Sequence, residues 1–331
     1  MGNGKRTIYA LFILGLIASV SSCGMDLFYD PYNIEGKTYD WMTVSTEHFM
    51  YHYTDDTEDS DWTRILKRFD GTEYECESGS IKDAALEYAR HFEMWYERLS
   101  ELFGTDPAKH VPIDVHNYPS IETQAGLIGS KAAQSMEYAP VGSCGYVIHL
   151  GAEGVCAHEL IHIFQTTKAN APPLLSEGMA VALAGANWTL KESTRNIIYA
   201  DLPTLPLSGS LAMLPPRWQN LDLHKSAAKA IGLGDFDDTS IRQVPIAGLR
   251  PSDLVYWGNN LSTQWYVYCV GGSFIHYLVF QYHWDRFLSW YEAVNSSVLL
   301  GADLLSEFYK AYGKTFIEVE GEWLAMLGAL T

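Results

Sequence analysis

The segment His158-Glu159-Leu160-Ile161-His162-Ile163-Phe164-Gln165, followed by Pro172-Pro173-Leu174-Leu175-Ser176-Glu177-Gly178, decides how this chain is read. At about 100° per residue, two histidines four apart lie one helical turn from each other and within about 40° on one face, so both can hold a single ion. Glu159, next to the first histidine, reaches a water on that ion without being a ligand. Val155, Leu160, Ile161 and Phe164 are apolar, which suits a helix sunk in a core with its polar face toward a cleft.

A catalytic zinc usually takes three protein ligands and leaves a fourth position open, so a third donor is required. Glu177, fifteen residues after His162, supplies it from the start of an Ala-rich helical segment. Ala171-Pro172-Pro173 reads as a tight connection that returns this second helix antiparallel against the first. An HExxHxxGxxH pattern is excluded, because Gln165 and Lys168 stand where its Gly and His would fall.

These two segments resemble the gluzincin clan of zinc metallopeptidases, and in particular its peptidase MA-like members. Three further places share the likeness: Thr46-Glu47-His48-Phe49 opening a strand, Tyr268-Cys269-Val270-Gly271-Gly272-Ser273-Phe274 in place of a Tyr-x-x-Ala-Gly-Ser-Phe helix, and Tyr312-Gly313 with Glu322-Trp323 near the end. Together they cover most of residues 40–325. His276 departs from the pattern, which commonly has Arg there, and residues 190–254 match nothing in it. The resemblance implies an α+β, zincin-like fold, with a mixed α/β lobe over 39–185, a mainly helical lobe over 186–331 and the active-site cleft between them. It implies Zn2+ held by His158, His162 and Glu177, with Glu159 as general base. Tyr268 becomes the donor to the developing oxyanion, with Tyr266 and a plain core tyrosine as the alternatives.

The expected activity is hydrolysis of peptide bonds in a peptide or protein substrate. Two alternatives stay open: a catalytically inactive, zinc-containing binding or assembly lipoprotein, and a metal-dependent hydrolase of another amide such as a cell-wall crosslink. The rest of the chain bears on location. Lys5 and Arg6 precede an apolar run from Ile8 to Val20, and Val20-Ser21-Ser22-Cys23 resembles a bacterial lipobox with Cys23 as the acylated residue. Residues 1–22 then form an export signal and 23–38 a tether, placing the body in the cell envelope and joining it to a membrane through the N-terminal lipid only. The balance of 22 Lys+Arg against 40 Asp+Glu, a formal charge of -18, argues against nucleic acid as a partner. Export permits disulfides among Cys76, Cys144, Cys156 and Cys269 in three pairings, with free thiols as the alternative.

Elsewhere, alternation over Val44–Thr54 reads as one half-buried strand, and the acidic run Asp55–Asp61 as a solvated loop. Ile81, Ala85, Tyr88, Phe92, Trp95, Leu99 and Leu102 mark an amphipathic helix that stops at Gly104. Val111–Val115 is a strand that Pro112 pushes to a sheet edge, and Tyr146–Leu150 is a strand placed to receive an extended substrate as an added strand, or else a plain sheet strand. Ser193–Leu254 reads as loops with short helices. Leu261–Tyr282, Phe287–Val294, Ala302–Tyr312 and Phe316–Leu327 read as helices, and the remaining histidines as ordinary surface or core residues.

Overall fold

Alternation and helical periodicity place an aromatic-rich face on both a strand and a helix near the start of the chain, and these two faces meet. The computed structural model describes residues 40–54, 65–67, 73–75, 81–119, 124, 134–138, 145–151, 155–168, 171–184, 207, 211–234, 244–255, 264–300 and 304–330. The expected export signal over 1–22, Cys23, the expected tether over 23–38 and the acidic run 55–61 lie outside the described residues. The strands are β1 (Met42–Ser45), β2 (Phe49–Tyr53), β3 (Ile65–Lys67), β4 (Glu73–Glu75), β5 (Ile113–Tyr118), β6 (Gln134–Tyr138) and β7 (Gly145–Gly151). Five form a mixed sheet in the order β1-β2-β5-β7-β6, and β3 pairs with β4 separately. β2, β5 and β7 run parallel, while β1 and β6 are antiparallel to their neighbours.

Helix α1 (Ile81–Phe103) lies on the sheet through the face the periodicity predicts. Ala85, Tyr88, Phe92, Trp95 and Leu99 are buried, with Phe92 5.2 Å from Phe49 and Tyr88 6.2 Å from Tyr51, ring centre to ring centre. Such tilted aromatic pairs contribute about 1 kcal/mol each beyond the area they bury. Gly104, at φ +61°, ends the helix in the left-handed conformation that a side chain would oppose. The C-terminal end of α1 is tied to helix α7 (Trp284–Leu300): the Trp284 indole N–H donates to the Leu102 carbonyl at 2.9 Å.

Three expectations about strands are corrected. Val44–Thr54 is not one strand but the β1–β2 hairpin, turning at Thr46-Glu47-His48, with the Thr46 N–H donating to the Phe49 carbonyl at 3.0 Å. Glu93 of α1 fixes this turn, accepting from the His48 backbone N–H at 2.6 Å and from His48 Nδ1 at 2.8 Å. The strand after Pro112 is central rather than at an edge, because the proline sits just before β5 and removes no ladder donor. β7 is likewise internal, between β5 and β6; β6 holds the edge.

One register row crosses the whole sheet, from Thr43 through His52, His116 and His149 to Gln134. It lies on the face opposite Phe49 and Tyr51, by strand alternation. The imidazoles stack, His52 on His116 at 4.5 Å and His116 on His149 at 5.7 Å. His52 is held between Thr43 Oγ1 at 2.9 Å and Asp114 Oδ1 at 3.0 Å, and His149 Nδ1 meets the Tyr118 hydroxyl at 3.1 Å.

The C-terminal region is mostly helical: α4 (Leu221–Ala230), α5 (Pro251–Leu254), α6 (Gln264–Tyr282), α7, α8 (Leu304–Tyr312) and α9 (Phe316–Gly328). Gly313, at φ +67°, ends α8, and Thr315 caps α9 by accepting from the Glu318 N–H at 3.3 Å while Glu318 accepts from the Thr315 N–H at 2.7 Å. Trp290, Phe308, Phe316, Phe274 and Trp323 form a chain of ring contacts through α7, α8, α9 and α6. Glu320 of α9 is buried and receives the Ser252 N–H at 2.8 Å and the Ser252 hydroxyl at 3.1 Å, which anchors the start of α5. The fold is therefore α+β, a small mixed sheet followed by a helical region, and Met42–Thr331 forms one unit.

A second histidine pair is buried here. The Trp323 indole donates to Ser273 Oγ at 3.0 Å, and that hydroxyl lies 2.7 Å from His224 Nδ1. His224 Nε2 lies 3.2 Å from His276 Nδ1, and His276 Nε2 lies 2.9 Å from the Trp218 carbonyl. A carbonyl only accepts, so His276 carries its hydrogen on Nε2. His224 then donates from Nε2, and Ser273 donates to His224 Nδ1. His276, where the resemblance would place an Arg, thus closes a neutral chain in which every donor has an acceptor.

Four of these rings are kept neutral by the fold. Burial lowers His149 and His276 to about 4 and holds His116 and His224 well below the ordinary value, with neighbouring histidines adding to the effect on the latter two. The unfolded chain binds these protons near pH 6.5, so the stability they contribute is complete above that pH and is lost as pH falls from about 6.5 toward 4. The thermal unfolding midpoint should fall steeply as the pH is lowered from about 6.5 to 5, before carboxylates titrate. A midpoint level down to pH 5 would show that these histidines do not remain neutral in the folded chain.

Candidate metal centre

Helix α2 (Ala157–Thr166) follows β7, and its apolar residues Leu160, Ile161, Ile163 and Phe164 are buried. Phe164 packs on Tyr96 and Phe103 of α1, at 5.1 and 5.6 Å between ring centres. That anchoring turns the opposite face, with His158 and His162, away from the core. After the helix, Pro172 and Pro173 begin α3 (Pro173–Ala184), the Pro172 carbonyl accepting from the Leu175 and Ser176 N–H groups. Proline suits this first turn because its missing N–H would have no partner there. Glu177 comes one turn into α3.

The three donors meet as the sequence predicts. His162 Nε2 lies 3.0 Å from His158 Nε2, and Glu177 Oε2 lies 3.2 Å from the first histidine and 3.3 Å from the second. Three ligands of a four-coordinate zinc with bonds of about 2.0–2.1 Å stand roughly 3.3 Å apart, so this triangle has the size of one face of such a site. Two imidazoles and a carboxylate also form a donor set that zinc and other first-row ions accept. Donor atoms of His158, Glu159 and His162 lie within 4.8 Å of one another, a looser group. The His158–His162–Glu177 triangle is tighter, and Glu159, which is buried, is not one of its corners.

The electrostatics match a cation position. Burial alone would raise the Glu177 carboxyl, but hydrogen bonds and charge from His158 and His162 outweigh it and hold the group well below the usual carboxylate range. Burial would lower His162, yet Glu177, with smaller contributions from Glu159 and Gln165, lifts it to about 9. Without a metal, then, positive charge on His162 is favoured; a bound ion would replace a proton.

Tyr268 faces this triangle from α6, its ring 5.9 Å from that of His158 and nearly perpendicular to it. Gln264 Nε2 donates to its hydroxyl at 2.5 Å. Burial, then the charges of Glu177 and Glu159, raise the phenol above its ordinary value, so it is a neutral O–H at physiological pH. Tyr266, the alternative, packs against the hydrophobic core. Trp265, 43% exposed, lies 6.2 Å from Tyr268 on the outer side.

α6 is not regular. Val267–Gly271 winds as a π-helical turn between α-helical segments, which changes the phase of the helix at Tyr268. Glycines let α3 approach this turn closely. A Cβ on Gly178 would sit 2.8 Å from Ile275 Cγ1 and 3.2 Å from the Gly271 carbonyl, and one on Gly272 would sit 2.5 Å from Val181 Cγ1.

Sequence reasoning missed two features of the centre: the π turn, for which the residues carry no recognised signal, and Gln165, which is buried and bonded to His162. Its position three residues after His162, on the same helix face, is the signal that could have found it. Neither Cys156, just before α2, nor Cys269, buried in α6, forms a disulfide, so the pairings through them are not formed; Cys76 and Cys144 lie outside the described residues. Comparison with known families, curated proteins and solved structures finds no match to this chain.

The glycine contacts can be tested directly. Gly272→Ala should destabilise the protein by about 1–3 kcal/mol, because the added methyl overpacks against Val181. Gly321→Ala in α9, where a Cβ meets nothing within 4 Å, should instead stabilise by about 0.5–1 kcal/mol. Chemical denaturation measures both; equal effects would mean that α3 and α6 are not in close contact at Gly272.

Proposed function

We propose that this protein is a zinc-dependent peptidase of the gluzincin type, with a zincin-like arrangement of the mixed sheet and the helices around its centre. The observation that carries the reading is the His158–His162–Glu177 triangle, 3.0–3.3 Å on each edge, with Glu159 and Tyr268 beside it. His158, His162 and Glu177 would hold the ion, which when bound supplies Lewis acidity that makes water nucleophilic near neutral pH.

The remaining steps belong to the chain's own residues. Glu159 takes a proton from the attacking water as it adds to the scissile carbonyl carbon, then gives it to the departing amine as the C–N bond breaks. The carbonyl oxygen gains negative charge, and the neutral Tyr268 phenol donates a hydrogen bond to it; one well-placed donor is worth about 3 kcal/mol in the transition state. β6, at the edge of the five-stranded sheet beside β7, replaces β7 as the strand on which an extended peptide can add.

In this reading Cys23 carries the lipid, and the enzyme works in the cell envelope on peptide or protein substrates. No helix among the described residues is long and apolar enough to cross a membrane, and the proposed anchor does not need one.

Metal analysis of the purified full chain, with cleavage of a random peptide library, tests the proposal. Glu159→Gln should keep its zinc and lose at least about a thousandfold in turnover, since proton transfer is removed and coordination is not. Glu177→Ala should lose metal on dialysis. A Glu159→Gln variant that cleaves at wild-type rate would remove the general base from the mechanism, and a chain that holds zinc but cleaves no peptide would point to another amide or to binding alone.

A further inference from the structure

The side chain of Gln165 joins the two helices that carry the metal-binding triangle. It is 3% exposed, with Oε1 2.8 Å from His162 Nδ1 and Nε2 2.7 Å from the carbonyl oxygen of Ser176, the residue before Glu177. The chemistry of these atoms fixes the direction of both bonds. The Ser176 carbonyl only accepts, so the Gln165 NH2 group must point to it. Oε1 is then the atom facing His162, and since it too only accepts, His162 Nδ1 must carry the hydrogen. The reversed amide would set two carbonyl oxygens against each other at 2.7 Å, so it is disfavoured.

The consequence falls on the other ring nitrogen. With hydrogen on Nδ1, neutral His162 has its lone pair on Nε2, the atom 3.0 Å from His158 Nε2 and 3.3 Å from Glu177 Oε2. A buried acceptor on Nδ1–H also limits rotation of the ring about χ2 and raises its basicity toward a metal.

We propose that Gln165 is a positioning residue of the metal centre: anchored by the Ser176 carbonyl, it holds His162 in the Nδ1–H tautomer with Nε2 aimed into the triangle. The inference rests on the reading of His158, His162 and Glu177 as ligands. Gln165 touches neither substrate nor ion and acts only through His162.

Zinc affinity of the full chain, measured by competition with a chromogenic chelator, tests this without reference to activity. Gln165→Met fills the same space with no acceptor and should weaken zinc binding about 10–100-fold, with the far-ultraviolet circular dichroism of the folded chain retained. Equal affinity in wild type and Gln165→Met overturns the proposal. Long-range 1H–15N correlation on the zinc-loaded wild type reads the tautomer with no substitution: hydrogen on His162 Nδ1 and metal on Nε2 supports it, and metal on Nδ1 overturns it. A wild-type chain that binds no zinc would refute the ligand assignment itself, which is distinct from a zinc-binding wild type matched by Gln165→Met.

Discussion

Electron-pair donors repel one another, and this fold brings three of them within 3.3 Å. Such a cluster is tolerable only when positive charge sits among them, as a proton or a metal ion, and the surrounding structure is arranged to hold it in place. Phe164 wedged against α1 keeps α2 from rotating, two prolines start α3 at a fixed point, and glycines let α6 lie close against α3.

The other buried polar groups follow a different rule. The chain from Trp323 to Trp218 gathers no net charge; its hydrogens run from donor to acceptor until a carbonyl ends the series. Neutral networks of this kind avoid the cost of burying an ion while still demanding one arrangement of helices. The contrast is between Glu177, which keeps His162 charged in the absence of metal, and Trp218, whose carbonyl can only receive a hydrogen bond from His276.

What was legible in the sequence was local. His158 and His162 are four apart on a helix, so their meeting follows from helical pitch alone, and α1 shows its buried face in the spacing from Ala85 to Leu99. Glu177 was legible because the prolines at 172 and 173 limit where the chain can go. Strand neighbours were not legible, since the pairings of β2 with β5 and of β5 with β7 join segments far apart in sequence, and the turn at Thr46-Glu47-His48 is secured by Glu93 from another element. The row of three histidines comes from register between strands, which no single strand reveals. The same holds for Gln165, whose second partner is on another helix.

The seats that Gly178, Gly271 and Gly272 offer to the facing helix have a mechanical meaning. With Ile275, Leu174 and Val181 lodged where Cβ atoms would otherwise stand, α3 and α6 interlock as a single block. Glu177 and Tyr268 ride on that block together. The separation of carboxylate and phenol is therefore set by the packing of this block, while the two histidines belong to α2.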